Sequence, residues 1–278
     1  MNFYAPRLSL VFFLFISCSQ DKTQEENWQA LFNGKSLEGW DTYLGPSRPD
    51  TVGFGLNQDP QGVFSVAEEN GVGILRVSGE LFGGISTQQD FSNYHFKLDF
   101  KWGNLKWPPR ENGKRDSGLL YHAVGPHGAD YGYWMRSQEF QIQEGDCGDY
   151  WGVAGGIMDI PAVFNAKDSL YIYSVNAPPI PFSTDHPNGR HCVRLSNEEK
   201  PHGEWNTLEL FCLGDTAIHR VNGKVVMVLY HSRQKDGTRE KILDRGKIQI
   251  QSEGAEVFYR NIQIRSLNKL PQDLLSGK

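Results

Sequence analysis

Residues 95–102 read HFKLDFKW, with Phe96, Leu98, Phe100 and Trp102 at every second position and Lys97, Asp99 and Lys101 between them. A period of two is strand geometry, because successive side chains leave a strand on opposite faces. A helix would repeat its apolar residues every three to four positions. A strand with one apolar face must also bury that face against a second layer. The same alternation returns in EFQIQ (139–143), NTLELFCLG (206–214) and KIQIQSEG (247–254). In AIHRVNGKVVMVL (217–229), two β-rich runs flank Asn222-Gly223. Both residues tolerate the positive φ of a type I′ hairpin. Long helical periodicity is absent, and EENWQALF (25–32) has room for one short helical turn. The expected fold is all-β, a two-sheet antiparallel sandwich. Phe140, Ile142, Leu208, Leu210, Ile248 and Ile250 belong between the sheets. Glu139, Gln141, Gln143, Gln249 and Gln251 belong on an outer face.

The ends of the chain read differently. Arg7 precedes LSLVFFLFIS, an apolar run of about ten residues that suits a signal segment and is too short to span a bilayer. Ser17 then sets a small residue directly before Cys18, the junction that lipoprotein processing requires. Residues 1–18 are expected to be a lipoprotein signal segment, with Cys18 lipidated and residues 19–27 a solvated tether. The mature protein is then exported and lipid-anchored to a bacterial membrane, periplasmic or at the cell surface. Residues 28–267 make a single sandwich domain, and residues 268–278 a C-terminal tail. Residues 151–200 are rich in Pro, Gly, Asn and Asp and read as a long loop insert. Its aromatics, among them Phe164, Tyr171, Tyr173 and Phe182, imply that it packs on the sandwich.

Composition narrows the partners. The net charge of −5, with no basic block, argues against nucleic acid, whose phosphates require neutralisation. Aromatic residues make up 12% of the chain, including 7 Trp. That content suits both sugar rings and a sandwich core. Besides Cys18 there are Cys147, Cys192 and Cys212. In an exported protein Cys147 and Cys192 can form a loop-to-loop disulfide, while Cys212, in the apolar phase of its strand, reads as a buried thiol.

Six segments appear in a telling order: LFNGKSLEGW, DSGLLYH, QEFQIQEGDCGDYWG, GEWNTLEL, VNGKVV and IQIQSEGAEVFYRNIQIRSL. In this ordered set the chain resembles the 3-keto-disaccharide hydrolase domain family, from Trp28 to Leu267. The resemblance implies a concanavalin A-like jelly roll, often exported and lipid-anchored, that acts on 3-keto-glycosides.

The carbonyl of a 3-keto sugar acidifies the C2 proton. Cleavage then needs a base, an acid for the leaving oxygen, and positive or hydrogen-bonding character beside the enolate. Glu139 is the expected base. His122 is the expected acid, or exchanges roles with Glu139, or is a surface histidine. Arg136 either stabilises the enolate or makes a structural ion pair. Gln141, Gln143, Gln249 and Gln251 offer amides that donate to and accept from sugar hydroxyls. Trp134, Tyr150 and Trp151 are sugar-stacking platforms or core residues. Glu144, Asp146 and Asp149 lie close enough on one loop to bind calcium, or form a solvated acidic loop. Arg260 and Asn261 are expected to tie the last strand to its surroundings. Two other functions fit the same stretch. One is a non-catalytic carbohydrate-binding module. The other is a retaining endo-glucanase, in which Glu139 and Glu144 would act as the carboxylate pair although Gln141 stands where such enzymes carry Asp.

Overall fold

The computed structural model describes residues 27–47 and 51–275, together with Met1. The first half of the chain forms β1 (Gln29–Ala30), β2 (Trp40–Leu44), β3 (Gly55–Leu56), β4 (Phe64–Glu69), β5 (Val72–Val77), β6 (Gly83–Thr87), β7 (Tyr94–Lys106), β8 (Asp116–Val124) and β9 (Arg136–Gln143). The middle forms β10 (Tyr150–Val153), β11 (Gly156–Asn165), β12 (Leu170–Tyr173), β13 (Pro179–Phe182) and β14 (His191–Cys192). The last third forms β15 (Asn206–Leu213), β16 (Thr216–Val221), β17 (Lys224–Asp236), β18 (Arg239–Ile242), β19 (Lys247–Ser252), β20 (Ala255–Ser266) and a short helix, α1 (Gln272–Leu275).

The strands make two antiparallel sheets, packed face to face as a jelly-roll sandwich. The larger runs β12-β11-β17-β16-β15-β7-β20-β5-β4, with β1, β13 and β18 at its margins. The other runs β14-β10-β9-β8-β19-β6-β2-β3. Every expected core residue is buried between them: Phe96, Leu98, Phe100, Phe140, Ile142, Leu208, Leu210, Ile248 and Ile250 expose nothing. Alternation enforces this outcome, since a slip of one residue would turn each of those side chains outward. Asn222 and Gly223 both take positive φ, closing the β16–β17 hairpin as expected. Arg260 and Asn261 meet Asp99 on the neighbouring strand β7.

Four expectations about the outer parts of the fold need correction. Residues 25–32 contain no helical turn among the described positions; Gln29–Ala30 pairs with β20 instead. Residues 151–200 are not a loop laid on the sandwich. They supply strands to both sheets, with β10 pairing with β9 and β11 pairing with β17. The C-terminal tail is tied down, with Leu270 and Leu274 buried in the core. Cys147 and Cys192 are buried free thiols, as is Cys212, so no disulfide links the two loops. The segment before residue 27, including Cys18, lies outside the described residues.

Candidate active site

The site grows from the outer face of the smaller sheet. On β9, Phe140 and Ile142 enter the core, so Glu139, Gln141 and Gln143 point the other way. On β8 the same phase presents Asp116, Gly118 and Leu120, and on β19 it presents Gln249 and Gln251. Pairing sets Gln141 opposite Gly118, and Gln143 opposite Asp116. Trp151 of β10 lies opposite Glu139. Gly118 is the floor: a Cβ there would stand 2.3 Å from Oε1 of both Glu139 and Gln251. Only glycine lets those two side chains converge above the strand.

Loops from distant segments roof this face and leave a cleft of about 250 Å³, lined by Arg110, Asp116, Asp130, Trp134, Glu139, Gln141, Gln143, Trp151, Arg190, Gln251 and Glu253. The outer face expected for these residues is thus a covered one. Glu139 is 6% exposed and Gln141 7%. Arg110 pairs with both Asp116 and Glu253, and Gln143 donates to Asp116 at 2.6 Å. Arg190 pairs with Asp130 at 3.3 Å, and its guanidinium stands 5.4 Å from the Trp151 ring. Trp151 is backed by His191, stacked at 4.3 Å.

Burial raises all three inner carboxyls. Glu139 is pushed well above the ordinary range, first by desolvation and then by the nearby charges of Glu253 and Asp116, with Arg190 offsetting part of this. Asp116 is also raised well above its ordinary value by desolvation and by Glu253, against the pull of Arg110. Glu253 is raised by desolvation. Two buried carboxyls that share the guanidinium of Arg110 cannot both ionise at little cost, which is why both are raised. Asp116 Oδ1 and Gln251 Oε1, two acceptors of the lining, have no hydrogen-bond partner among the described residues.

The fold brings together six of the expected site residues: Glu139, Gln141, Gln143, Trp134, Trp151 and Gln251. It separates four others. His122 follows the outward phase of β8, yet a bulge between Tyr121 and Val124, with His122 at φ 52°, turns its ring into the protein. There it bonds to the Leu243 carbonyl at 2.9 Å, and burial lowers its pKa to about 4. It is neither a surface histidine nor the acid of this cleft. Arg136 belongs to the other phase of β9 and donates to the Ala154 carbonyl at 2.7 Å, so the enolate role assigned to it falls away. Tyr150 pairs with Phe140 and is fully buried, with its hydroxyl on Gln138 at 2.7 Å; it is a core residue and not a platform. Gln249 is covered and accepts from the Met135 N–H at 3.0 Å.

The acidic loop is also corrected. Glu144 bonds to Arg115 at 2.9 Å, Asp146 pairs with Lys114, and Asp149 bonds to Arg194 at 2.7 Å and to His191 at 2.9 Å. Each of the three carboxylates is thus already bonded to a side chain of the protein. Among the described residues, no group of three or more His, Cys, Asp or Glu side chains converges on a metal position. Asp149 instead steadies the histidine that backs Trp151. Because Glu144 is turned to Arg115, the Glu139–Glu144 pair of a retaining glucanase does not form.

The sequence reading gave no site role to Arg110, Asp116, Asp130, Arg190 or Glu253. Asp116 and Glu253 had a usable signal: Asp116 shares the outward phase of β8, and Glu253, one residue past β19, continues the phase of Gln249 and Gln251. The two arginines come from loops, where no periodicity points. A larger hollow of about 860 Å³ lies on the other sheet. Its Arg260 is already committed to Asp99, and it gathers no comparable set of carboxyls.

A family model described as the 3-keto-alpha-glucoside-1,2-lyase-like domain matches residues 27–265. No curated protein matches the chain. Among solved structures, a proposed glycosyl hydrolase from Parabacteroides distasonis is similar over 87% of this chain and 100% of its own, at 21% identity and a TM-score of 0.49. The carbohydrate-binding module CBM66 from Bacillus subtilis is similar over 82% of this chain and 96% of its own, at 11% identity and a TM-score of 0.44. A β-glucanase from Bacillus licheniformis is similar over 89% of this chain and 100% of its own, at 12% identity and a TM-score of 0.41.

Proposed function

The chain belongs to the 3-keto-alpha-glucoside-1,2-lyase-like domain family, and on that premise we propose that it cleaves 3-keto-glycosides by elimination, with Glu139 as the base. The observation that carries this reading is the position of Glu139. It stands on the floor of a covered cleft, beside two arginines and across from Trp151. Glu139 takes the C2 proton, and the C–H electron pair moves onto the C3 carbonyl as an enolate. The pair then returns to form a C1=C2 double bond as the C1–O bond breaks. Water added across that double bond completes a net hydrolysis.

Each part has a physical reason. A carboxyl raised by burial is a stronger base once ionised, and a value nearer neutrality suits proton transfer. Arg110 and Arg190 supply positive charge on the wall of the cleft where the enolate forms. Trp134 and Trp151 present apolar ring faces to a sugar.

Glu139→Gln keeps size and hydrogen bonding but removes the base. Release of the leaving group from a 3-keto-glucoside should fall by ~10²- to 10⁴-fold, with the fold intact. Near-normal turnover by this variant would remove Glu139 from the role. Tight binding by the unaltered protein without any turnover would instead support a carbohydrate-binding module.

The proposal extends to location. The small-residue-Cys junction at Ser17–Cys18, after a short apolar run, supports an exported protein anchored through lipid on Cys18.

A further inference from the structure

The elimination also has to deliver a proton to the departing oxygen, and with His122 turned inward no histidine among the described residues lines the cleft to do so. The cleft has its own proton store. Four carboxyls, Asp116, Asp130, Glu139 and Glu253, face two guanidiniums, Arg110 and Arg190. Ionising all four would leave uncompensated negative charge out of contact with bulk water, which is expensive. Asp130 is satisfied by Arg190. Asp116 and Glu253 must share the single guanidinium of Arg110.

We propose that the Asp116–Glu253 pair, clamped by Arg110, is the general acid that protonates the leaving oxygen. This rests on the elimination reading above. A separate observation points to a ligand at the same place. Asp116 is 1% exposed and its Oδ1 has no partner among the described residues, and the same holds for Oε1 of Gln251, which also lines the cleft. Buried acceptors are ordinarily bonded. Two of them on one cleft wall suit a ligand carrying hydroxyl groups, and a sugar hydroxyl donating to Asp116 Oδ1 would seat the glycoside against the carboxyl pair.

The step balances. Glu139 gains the C2 proton, the C1–O bonding pair leaves on oxygen, and that oxygen takes a proton from the Asp116–Glu253 pair. The products are the unsaturated keto sugar and a neutral alcohol. Glu139 is then protonated and the pair anionic, and proton exchange with solvent resets both. The alternative is that Glu139 itself carries the C2 proton to the leaving oxygen, with the pair serving only to hold the wall in shape.

Leaving-group dependence separates these. A 4-nitrophenolate departs without help, whereas methoxide needs a proton. In Asp116→Asn, kcat/KM for the methyl 3-keto-glucoside should fall by ~10²- to 10⁴-fold, and for the 4-nitrophenyl 3-keto-glucoside by less than about tenfold. Glu253→Gln should show the same split and carries the test if Asp116→Asn fails to fold. An equal fall on both substrates, in whichever variant folds, overturns the assignment, because a distorted wall would harm both alike. Unaltered protein that turns over neither glycoside overturns the elimination reading, and this assignment with it.

Discussion

His122 shows how one residue can leave a site that its strand phase placed it in. Asp116, Gly118 and Leu120 face the cleft, and His122 should follow them. The bulge after Tyr121 adds a residue, and the ring goes inside. There it stays neutral, bonded to the Leu243 carbonyl, with a pKa lowered to about 4 by burial. The unfolded chain binds a proton at this histidine below pH ~6.5, whereas the folded chain refuses it until about pH 4. Its contribution to stability is therefore whole above pH ~6.5 and is lost as the pH falls through that window. Asn tolerates positive φ and keeps a donor for the carbonyl, but does not titrate. The stability difference between the unaltered protein and His122→Asn, measured by denaturant unfolding, should shrink between pH 7 and pH 4.5. A difference that stays constant with pH would mean that His122 titrates alike in both states.

At the scale of the element, the smaller sheet carries the cleft because its outer face has a gap in it. Gly118 sits mid-strand in β8 without a positive φ, so its conformation does not demand glycine. Its neighbours do. In Gly118→Ala the new methyl group would meet Oε1 of Glu139 and of Gln251 at 2.3 Å, and both buried side chains would have to move. The strand itself tolerates alanine, since β-propensities span only ~1 kcal/mol. Displacing a catalytic group by about 1 Å can cost ~10²-fold in rate. Gly118→Ala should therefore melt within a few degrees of the unaltered protein and lose turnover of a 3-keto-glucoside by about that factor. Full activity would mean that Glu139 has room to spare. The middle strands β10–β14 act in a similar way, since they carry Trp151 and Arg190 to the cleft from what reads as a loop-rich stretch.

At the scale of the whole molecule, one core spans both sheets and reaches to Leu274, so the domain is expected to work as a self-contained unit. Lipid on Cys18 would hold it at a membrane. Replacing Cys18 with Ser should then move the protein from the membrane fraction to the soluble fraction with its turnover unchanged. Retention in the membrane fraction would mean that something other than this lipid anchors it.

The sandwich could be read from the sequence because burial is settled locally. A period of two allows only one face of each strand to be apolar, and that choice assigned Phe140, Ile142, Ile248 and Ile250 to the core and Glu139, Gln141 and Gln251 to the opposite face. The same parity, applied strictly, would have excluded Arg136 and included Asp116. Tertiary structure decided what stands around that face. Arg110, Asp130 and Arg190 reach it from separate loops, the bulge removes His122, and the acidic loop spends its charge on Arg115, Lys114, Arg194 and His191. No local pattern encodes those outcomes, because a carboxyl's partner and its protonation depend on which distant cation and how much water the folded chain brings beside it.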